Sequence, residues 1–135
     1  MFLIVVTLQA CDPYSHGYVC NQTNDEITLT MKFDYEDNKY NLTKEKFMEW
    51  LPDQFDNNLK LVGFDTIKLI GTYRIEGGQY AQVGHGMNSY PPFRFSELTI
   101  KTSEGAKTDN MLDKFKKRDD GFKVGFGGNF DLIIK

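Results

Sequence analysis

The feature that most constrains the fold is a strict alternation of apolar and polar side chains over residues 27–34. The apolar positions of this stretch are Ile27, Leu29, Met31 and Phe33. A period of two places all four on one face of a β-strand and the polar residues on the other. Such a strand belongs to a sheet that is covered on one side and wet on the other. The alternation therefore predicts an antiparallel sheet with one buried face.

The aromatic and glycine content extends this prediction to the rest of the chain. The 135 residues include 11 Phe, 7 Tyr and 12 Gly. Aromatic residues favour strands, and glycines favour the tight turns between them. A chain of this length fits one domain and can bury a sizeable core without a metal or a disulfide. We predict a mainly β fold over residues 25–135: a single antiparallel β-sandwich, immunoglobulin-like, with one or two short helices.

Two short helices are predicted within this sandwich. Thr43 is a favourable cap for a helix over residues 44–54, and Asp109 for a helix over residues 109–118. Apolar residues at helical spacing give each helix an inward face. These stripes are Phe47, Trp50 and Leu51 in the first helix and Met111, Leu112 and Phe115 in the second.

Further strands are predicted over residues 59–75 and 93–102. Residues 59–75 are long enough for two strands, broken near 63–65 or bent at Gly71. Residues 93–102 form another strand, and its apolar register changes in a way that indicates a bulge near Ser96 and Glu97.

A hairpin is predicted to close the fold, with arms over residues 122–126 and 130–134 joined through 127–129. The apolar residues of each arm share one parity and so can face the same core, whereas Asp131 falls on the solvent side. The predicted core positions are Phe122, Val124, Phe126, Phe130, Leu132 and Ile134.

The chain begins with an apolar run that ends in Leu8-Gln9-Ala10-Cys11. These four residues resemble a bacterial lipobox, which has a leucine three places before the cysteine and a small residue just before it. The resemblance covers this stretch alone. It implies that residues 1–10 are a signal segment, that Cys11 is the lipid attachment site, and that the protein is anchored in the bacterial cell envelope, facing the periplasm or the outer surface.

The run is about half as long as the roughly 20 apolar residues that a transmembrane helix needs, so contact with the membrane would come through the lipid. No Lys or Arg precedes the run, and two alternatives stay open: a buried N-terminal strand, and a disulfide between Cys11 and Cys20. Residues 11–24 are polar and turn-rich, which indicates an anchor and a tether.

No catalytic motif is present. The sequence lacks a Gly-x-Ser-x-Gly elbow, a His-Glu-x-x-His pair and a phosphate-binding loop, so no catalytic residue, metal site or cofactor is predicted. The net charge of -3 argues against nucleic acid as a partner. The two histidines, His16 and His85, lie in separate irregular stretches.

The best candidate for a binding surface is a Gly-rich segment over residues 80–92 and the residue that follows it. Aromatic rings beside glycines can stack on a sugar or insert into a partner. The alternative is that these rings cap the core of the sandwich. The possible ligand-binding residues are Tyr80, His85, Tyr90 and Phe93.

We expect a non-enzymatic lipoprotein of the cell envelope that acts as a binding or accessory component, with an unidentified protein or glycan partner. One alternative is a secreted glycan-active enzyme or glycan-binding protein that uses the loop over residues 76–94. Another is an inhibitor or immunity-type protein whose acidic surface docks on a basic partner. A deep pocket with convergent His, Asp and Glu would favour an enzyme, and a flat surface with exposed aromatic residues would favour binding.

Overall fold

The computed structural model describes residues 14–35, 43–51, 55–87, 93, 95–105, 107–119 and 128–135. These residues form two β-sheets that pack against each other, with one α-helix. The predicted mainly β sandwich is therefore confirmed. The predicted signal segment and Cys11 lie outside the described residues. Within the described ranges, no helix is long and apolar enough to cross a membrane.

The first sheet has the strand order β5-β1-β9-β8, and the second has the order β3-β4-β2-β6-β7. Neighbouring strands run antiparallel, except that β1 and β9 are parallel. The strands are β1 Tyr14–Asn21, β2 Ile27–Phe33, β3 Lys60–Asp65, β4 Ile70–Ile75, β5 Tyr80–Met87, β6 Phe95–Lys101, β7 Lys107–Thr108, β8 Lys116–Lys117 and β9 Gly128–Ile134. The helix α1 spans Lys44–Trp50, and a single 3-10 turn spans Leu112–Lys114.

The core lies between the sheets, where the alternating strands turn their apolar sides toward each other. On β2 the four apolar side chains that the alternation selects are all buried. Phe33 forms the centre of an aromatic cluster, because its ring lies about 6 Å from the rings of Phe55, Phe64 and Phe95. Val19 and Leu132 supply the opposite side of the core from the first sheet. The residues that the period of two in the sequence places on one face of the strand are thus the residues that are buried.

Residues 14–21 form a central strand of the first sheet, and the prediction of a tether is wrong for them. β1 pairs antiparallel with β5 on one side and parallel with β9 on the other. Its buried positions alternate with half-exposed ones along the whole strand. The alternation was missed because Ser15 and Gly17, which face inward, are residue types that also favour turns.

Asn21 joins the end of β1 to the second sheet. Its side chain is 1% exposed, and its amide nitrogen donates to the carbonyl oxygens of Asp25 and Ile75 at 2.7 and 3.2 Å. Its amide oxygen accepts from the hydroxyl of Thr23 at 2.7 Å. A buried amide is tolerated only when it is hydrogen-bonded, and these bonds fix the crossing between the sheets.

The first predicted helix is present and the second is not. Thr43 caps α1, since its hydroxyl accepts from the backbone N–H of Lys46. The helix ends at Trp50, earlier than predicted, and residues 52–54 lie outside the described residues. The predicted helix over 109–118 is wrong: it is a 3-10 turn followed by β8, because Lys116 and Lys117 pair with β9. Tertiary pairing outweighs helical spacing in so short a segment.

The predicted strand breaks fall at turns and bulges. Residues 59–75 divide into β3 and β4 after Asp65, whose carboxylate accepts from the backbone N–H groups of Ile67 and Lys68 at 2.9 Å. The predicted bulge in β6 is confirmed, because the register with β2 skips Ser96.

The strand predicted over residues 130–134 is confirmed as part of β9, and the strands that the structure pairs with it are β1 and β8. Residues 122–126, the predicted first arm of the hairpin, lie outside the described residues. Phe130, Leu132 and Ile134 are buried, at 2%, 3% and 8% exposure, as the parity predicts. Residues 128–129 belong to the strand, not to the turn.

Candidate binding surface

A group of aromatic and imidazole rings lies on the outer face of the first sheet, on the neighbouring strands β1 and β5. Side chains alternate across β1, so Tyr14, His16 and Tyr18 lie on the side away from the core. On β5 the residues opposite are Tyr80 and His85, with His16 and His85 paired in register. We name these five residues the aromatic face. Tyr14 and Tyr80 are 44% and 58% exposed, so the face is open to a ligand.

The rings of the aromatic face form a continuous row. The ring centroids of Tyr14 and His16 are 4.8 Å apart, and those of His16 and Tyr18 are 6.1 Å apart. Tyr80 continues the row, with its ring 6.1 Å from that of Tyr18. His85 lies nearly parallel to Tyr14 at 5.9 Å and 24°. Each ring therefore has a neighbour at the distance of a favourable aromatic pair.

Hydrogen bonds hold these rings in place. The hydroxyl of Tyr14 and Nδ1 of His85 lie 2.7 Å apart, and Nδ1 of His16 lies 3.1 Å from Oε1 of Gln82. Both bonds cross from β1 to β5, so they fix the rings of one strand against the other. A surface that is ordered before binding loses less conformational entropy when a ligand arrives.

Arg118 and Asp131 form an ion pair beside Tyr18. Nε and Nη2 of Arg118 each donate to the Asp131 carboxylate at 2.7 Å. The guanidinium carbon lies 5.3 Å from the Tyr18 ring centroid, which is cation-π range. The paired carboxylate raises the pKa of Arg118 above its usual range. The sequence placed Asp131 on the solvent side; it does lie on the outer face, but its side chain is only 15% exposed because Arg118 covers it.

Two further groups that can ionise, the Tyr18 hydroxyl and the Cys20 thiol, lie beside the ion pair. Burial raises the pKa of the Tyr18 hydroxyl, against the opposing effect of Arg118, and burial also raises the pKa of the half-buried Cys20 thiol. Both groups therefore stay protonated at neutral pH. Cys20 is a free thiol. In the described part of the chain, no three His, Cys, Asp or Glu side chains lie close enough to hold a metal ion.

The segment 55–59 protects the edge of β5. The Asp56 carboxylate accepts from the backbone N–H of Gln82 at 2.7 Å, and the Asn58 amide donates to the carbonyl oxygen of Tyr80 at 2.9 Å. An open strand edge would offer these two backbone groups to another chain. The side chains of 55–59 occupy them instead and hold the ring-bearing residues of β5 in position.

The four ligand-binding residues predicted from the sequence do not form one cluster. Tyr80 and His85 lie on the aromatic face, on β5, a strand that reaches Met87 where the sequence indicated a Gly-rich loop with at most a short strand at its start. Phe93 lies on the inner side of β1, where its ring covers Gly17 and packs 4.4 Å from the ring of Phe115. Tyr90 lies outside the described residues.

Sequence reasoning missed the contribution of β1. Tyr14, His16 and Tyr18 alternate with small or apolar residues, and that period of two is the signal that could have identified them. Arg118 and Asp131 are 13 residues apart and meet only because β8 pairs with β9. No protein-family model, curated protein or solved structure matches this chain.

Proposed function

We propose that this protein is a non-catalytic carbohydrate-binding component of the bacterial cell envelope, and that the aromatic face holds the glycan. The observation that carries the proposal is the continuous row of partly exposed rings on one sheet face. Pyranose rings offer flat C–H surfaces that pack on aromatic rings, and a tyrosine adds a hydroxyl at its tip. The spacing of the row is comparable to the length of one sugar unit.

The polar groups around the row suit a sugar as well. In the strand register Asn129 lies beside His16, and Gln82 and Asp131 lie on either side of Tyr18, whose ring also faces Arg118. Planar amides, carboxylates and guanidinium groups can each make two hydrogen bonds, which suits the adjacent hydroxyls of a sugar. A neutral glycan requires no large charge on the protein, and the five residues of the aromatic face include no carboxylate or ammonium group.

Binding is favoured over glycoside hydrolysis by the carboxylates of the face. Hydrolysis generally uses two carboxyl groups roughly 5–10 Å apart on opposite sides of the bond. Two carboxylates lie near Tyr18 among the described residues, Asp131 and Asp56. Both oxygens of Asp131 accept from Arg118, and the oxygens of Asp56 accept from the backbone N–H groups of Asn58 and Gln82. A carboxylate held in this way is a poor acid or base. The inhibitor or immunity-type hypothesis stays a prediction.

The location in the envelope rests on the lipobox resemblance at Cys11. If Cys11 carries the lipid, Cys11→Ser should move the protein from the detergent phase to the aqueous phase when it is expressed in a bacterial host. Cys20→Ser is the matched control and should leave the partition unchanged. Unchanged partition of Cys11→Ser would remove the anchor from the proposal but would not affect the binding face.

Co-sedimentation with insoluble polysaccharides tests the binding proposal. Purified peptidoglycan and chitin both present N-acetylglucosamine, and we expect the protein to pellet with at least one. Tyr18→Ala and Tyr80→Ala should each weaken binding about fivefold to tenfold, as loss of a stacking ring implies. Ile67→Ala removes an apolar side chain that is 86% exposed in the second sheet's β3–β4 turn and should have no effect. Failure of the unmodified protein to bind either polymer would overturn the proposal.

A further inference from the structure

A second candidate site lies on the other sheet, away from the aromatic face. A pocket of about 440 Å³ opens where α1 and the segment 55–59 meet β3 and β4. Its volume falls in the range of about 300–1,000 Å³ that is usual for small-molecule sites.

The lining of the pocket is largely apolar. Met48 of α1 and Leu51, the residue that caps the end of α1, line it together with Leu61 and Phe64 of β3, and Phe55 forms part of the wall. None of the described lining residues is cationic, so an anionic ligand would find no counter-charge there. The lining favours a neutral, hydrophobic molecule.

The charge of Asp56, at the edge of the pocket, is already satisfied. Its carboxylate oxygens accept from the backbone N–H groups of Asn58 and Gln82 at 2.8 and 2.7 Å. A cationic ligand would have to compete with those two bonds. The acidic residue therefore acts in the structure of the segment 55–59 and gives no strong preference for a positive charge.

Tyr73 supplies a hydrogen-bond donor without a partner. The residue lines the pocket and is 4% exposed, and its hydroxyl makes no hydrogen bond to any described residue. None of the described residues has a fully buried polar side-chain atom without a partner, so this hydroxyl is not sealed off inside the core. The Tyr73 ring and hydroxyl lie over Gly71, whose partner in the strand register is Phe64, another residue that lines the pocket. Burial raises the pKa of Tyr73 to about 12, which keeps the hydroxyl protonated as a donor.

We propose that this pocket binds a small, neutral, mostly apolar molecule that carries one hydrogen-bond acceptor, and that Tyr73 donates to that acceptor. The apolar walls of α1 and β3 enclose the body of the ligand. The Tyr73 hydroxyl sets the orientation of the ligand, since it donates to the one part of the ligand that carries an acceptor. This site is separate from the proposed glycan surface and does not depend on it.

A pair of isosteric probes tests the proposal on the full chain by calorimetric titration. 2-Acetylnaphthalene and 2-ethylnaphthalene have nearly the same shape, but only the first carries an acceptor. We expect both to bind, the acetyl compound more tightly. Tyr73→Phe should weaken the acetyl compound about fivefold, the factor that one neutral hydrogen bond supplies, and leave the ethyl compound unchanged. The proposal would be overturned if neither probe binds, or if Tyr73→Phe changes the affinity for both probes equally.

A second pair of variants locates the probe. Leu61 and Val62 are adjacent on β3 and similarly exposed, at 55% and 49%, but only Leu61 lines the pocket. Leu61→Asp should weaken both probes at least tenfold, because it places a charge against the apolar wall, whereas Val62→Asp should not. Equal affinities in the two variants would show that the probes bind elsewhere and would refute the assignment.

Discussion

At the scale of single residues, the contact between Gly17 and Phe93 decides how β1 fits the sandwich. Gly17 faces inward, and a Cβ atom at this position would overlap the Phe93 ring. The ring takes the space that a side chain of β1 would otherwise fill. The glycine is therefore a requirement of packing and not the mark of a turn.

Gly17→Ala should destabilise the protein by about 1–3 kcal/mol, because the ring must shift and overpacking a filled core costs that much. Gly63→Ala is the matched control, since Gly63 also lies in a strand and a Cβ there meets no atom within 4 Å. Chemical denaturation of both variants checks the difference. Equal stability of the two variants would contradict the packing of Phe93 on β1.

The Asp131 and Arg118 pair gives a second prediction at this scale. From the sequence alone, Asp131→Ala would be expected to change stability by no more than about 0.5 kcal/mol, as for a solvent-facing residue. The structure indicates a loss of about 1 kcal/mol, because two charged hydrogen bonds disappear, although the 42% exposure of Arg118 reduces their strength.

The control for Asp131→Ala is Glu97→Ala. Glu97 pairs with Lys32 at 3.0 Å, but its side chain is 59% exposed, so its removal should cost less than about 0.5 kcal/mol. Denaturant midpoints measure both variants. A smaller loss for Asp131→Ala than for Glu97→Ala would show that the partly covered pair contributes nothing to the outer face.

At the scale of elements, the position of β1 changes what truncation should do. A chain that starts at Asp25 lacks β1, the strand that lies between β5 and β9. This deletion leaves β5 and β9 without their shared neighbour and removes Val19 from the core. A domain of this size holds only about 5–15 kcal/mol in total, so it should lose its cooperative transition. A chain that starts at Asp12 keeps β1 and should unfold near the full-length midpoint. Cooperative unfolding of the shorter chain would contradict the central place of β1.

The two faces of β9 give a matched test of the sandwich. Ile134 is 8% exposed and Ile133 is 48% exposed, so the two neighbours differ in burial but not in chemistry. Ile134→Ala should cost about 2–5 kcal/mol, and Ile133→Ala should cost less than about 1 kcal/mol. Thermal or chemical denaturation measures both. Equal sensitivity would mean that the first sheet is covered on both sides.

These elements also show what the sequence could and could not predict. The alternation in β2 and β9 was readable because their inward residues are large and apolar, and each strand carries its own signal. β1 was not readable, because its inward Ser15 and Gly17 are small polar or turn-favouring residues, and Gly17 leaves room for the ring of Phe93, which is far away in sequence. The prediction of the second helix was wrong for a related reason: Lys116 and Lys117 form β8 only through pairing with β9.

The residues of the candidate site also divide into those that a local sequence pattern indicates and those that only strand pairing brings together. The sequence indicates Tyr80 and His85 because they stand in a Gly-rich stretch that carries several rings, although rings in such a stretch can also cap the core. Their partners on β1 required the register between β1 and β5, which no local pattern contains. The row of rings is a property of the assembled sheet.

At the scale of the whole molecule, the segment 55–59 connects the two proposed sites. Phe55, Asp56 and Asn57 line the pocket of the second sheet, while Asp56 and Asn58 hold the edge of β5 in the first. The same short segment therefore forms a wall of one site and fixes the ring-bearing strand of the other. The sandwich places these sites on different sheets, so ligands of different chemistry can bind without sharing side chains.

The most direct test of the account is backbone amide chemical-shift mapping during titration with a short oligomer of N-acetylglucosamine. The aromatic face predicts that the largest shifts lie on β1, β5 and β9, at residues 14–20, 80–85 and 129–133. Amides of β2 and β4 should stay unchanged, since these strands belong to the other sheet. Shifts confined to residues 48–64, around the pocket, or no shifts at saturating oligomer, would contradict the assignment of the aromatic face as the glycan-binding surface.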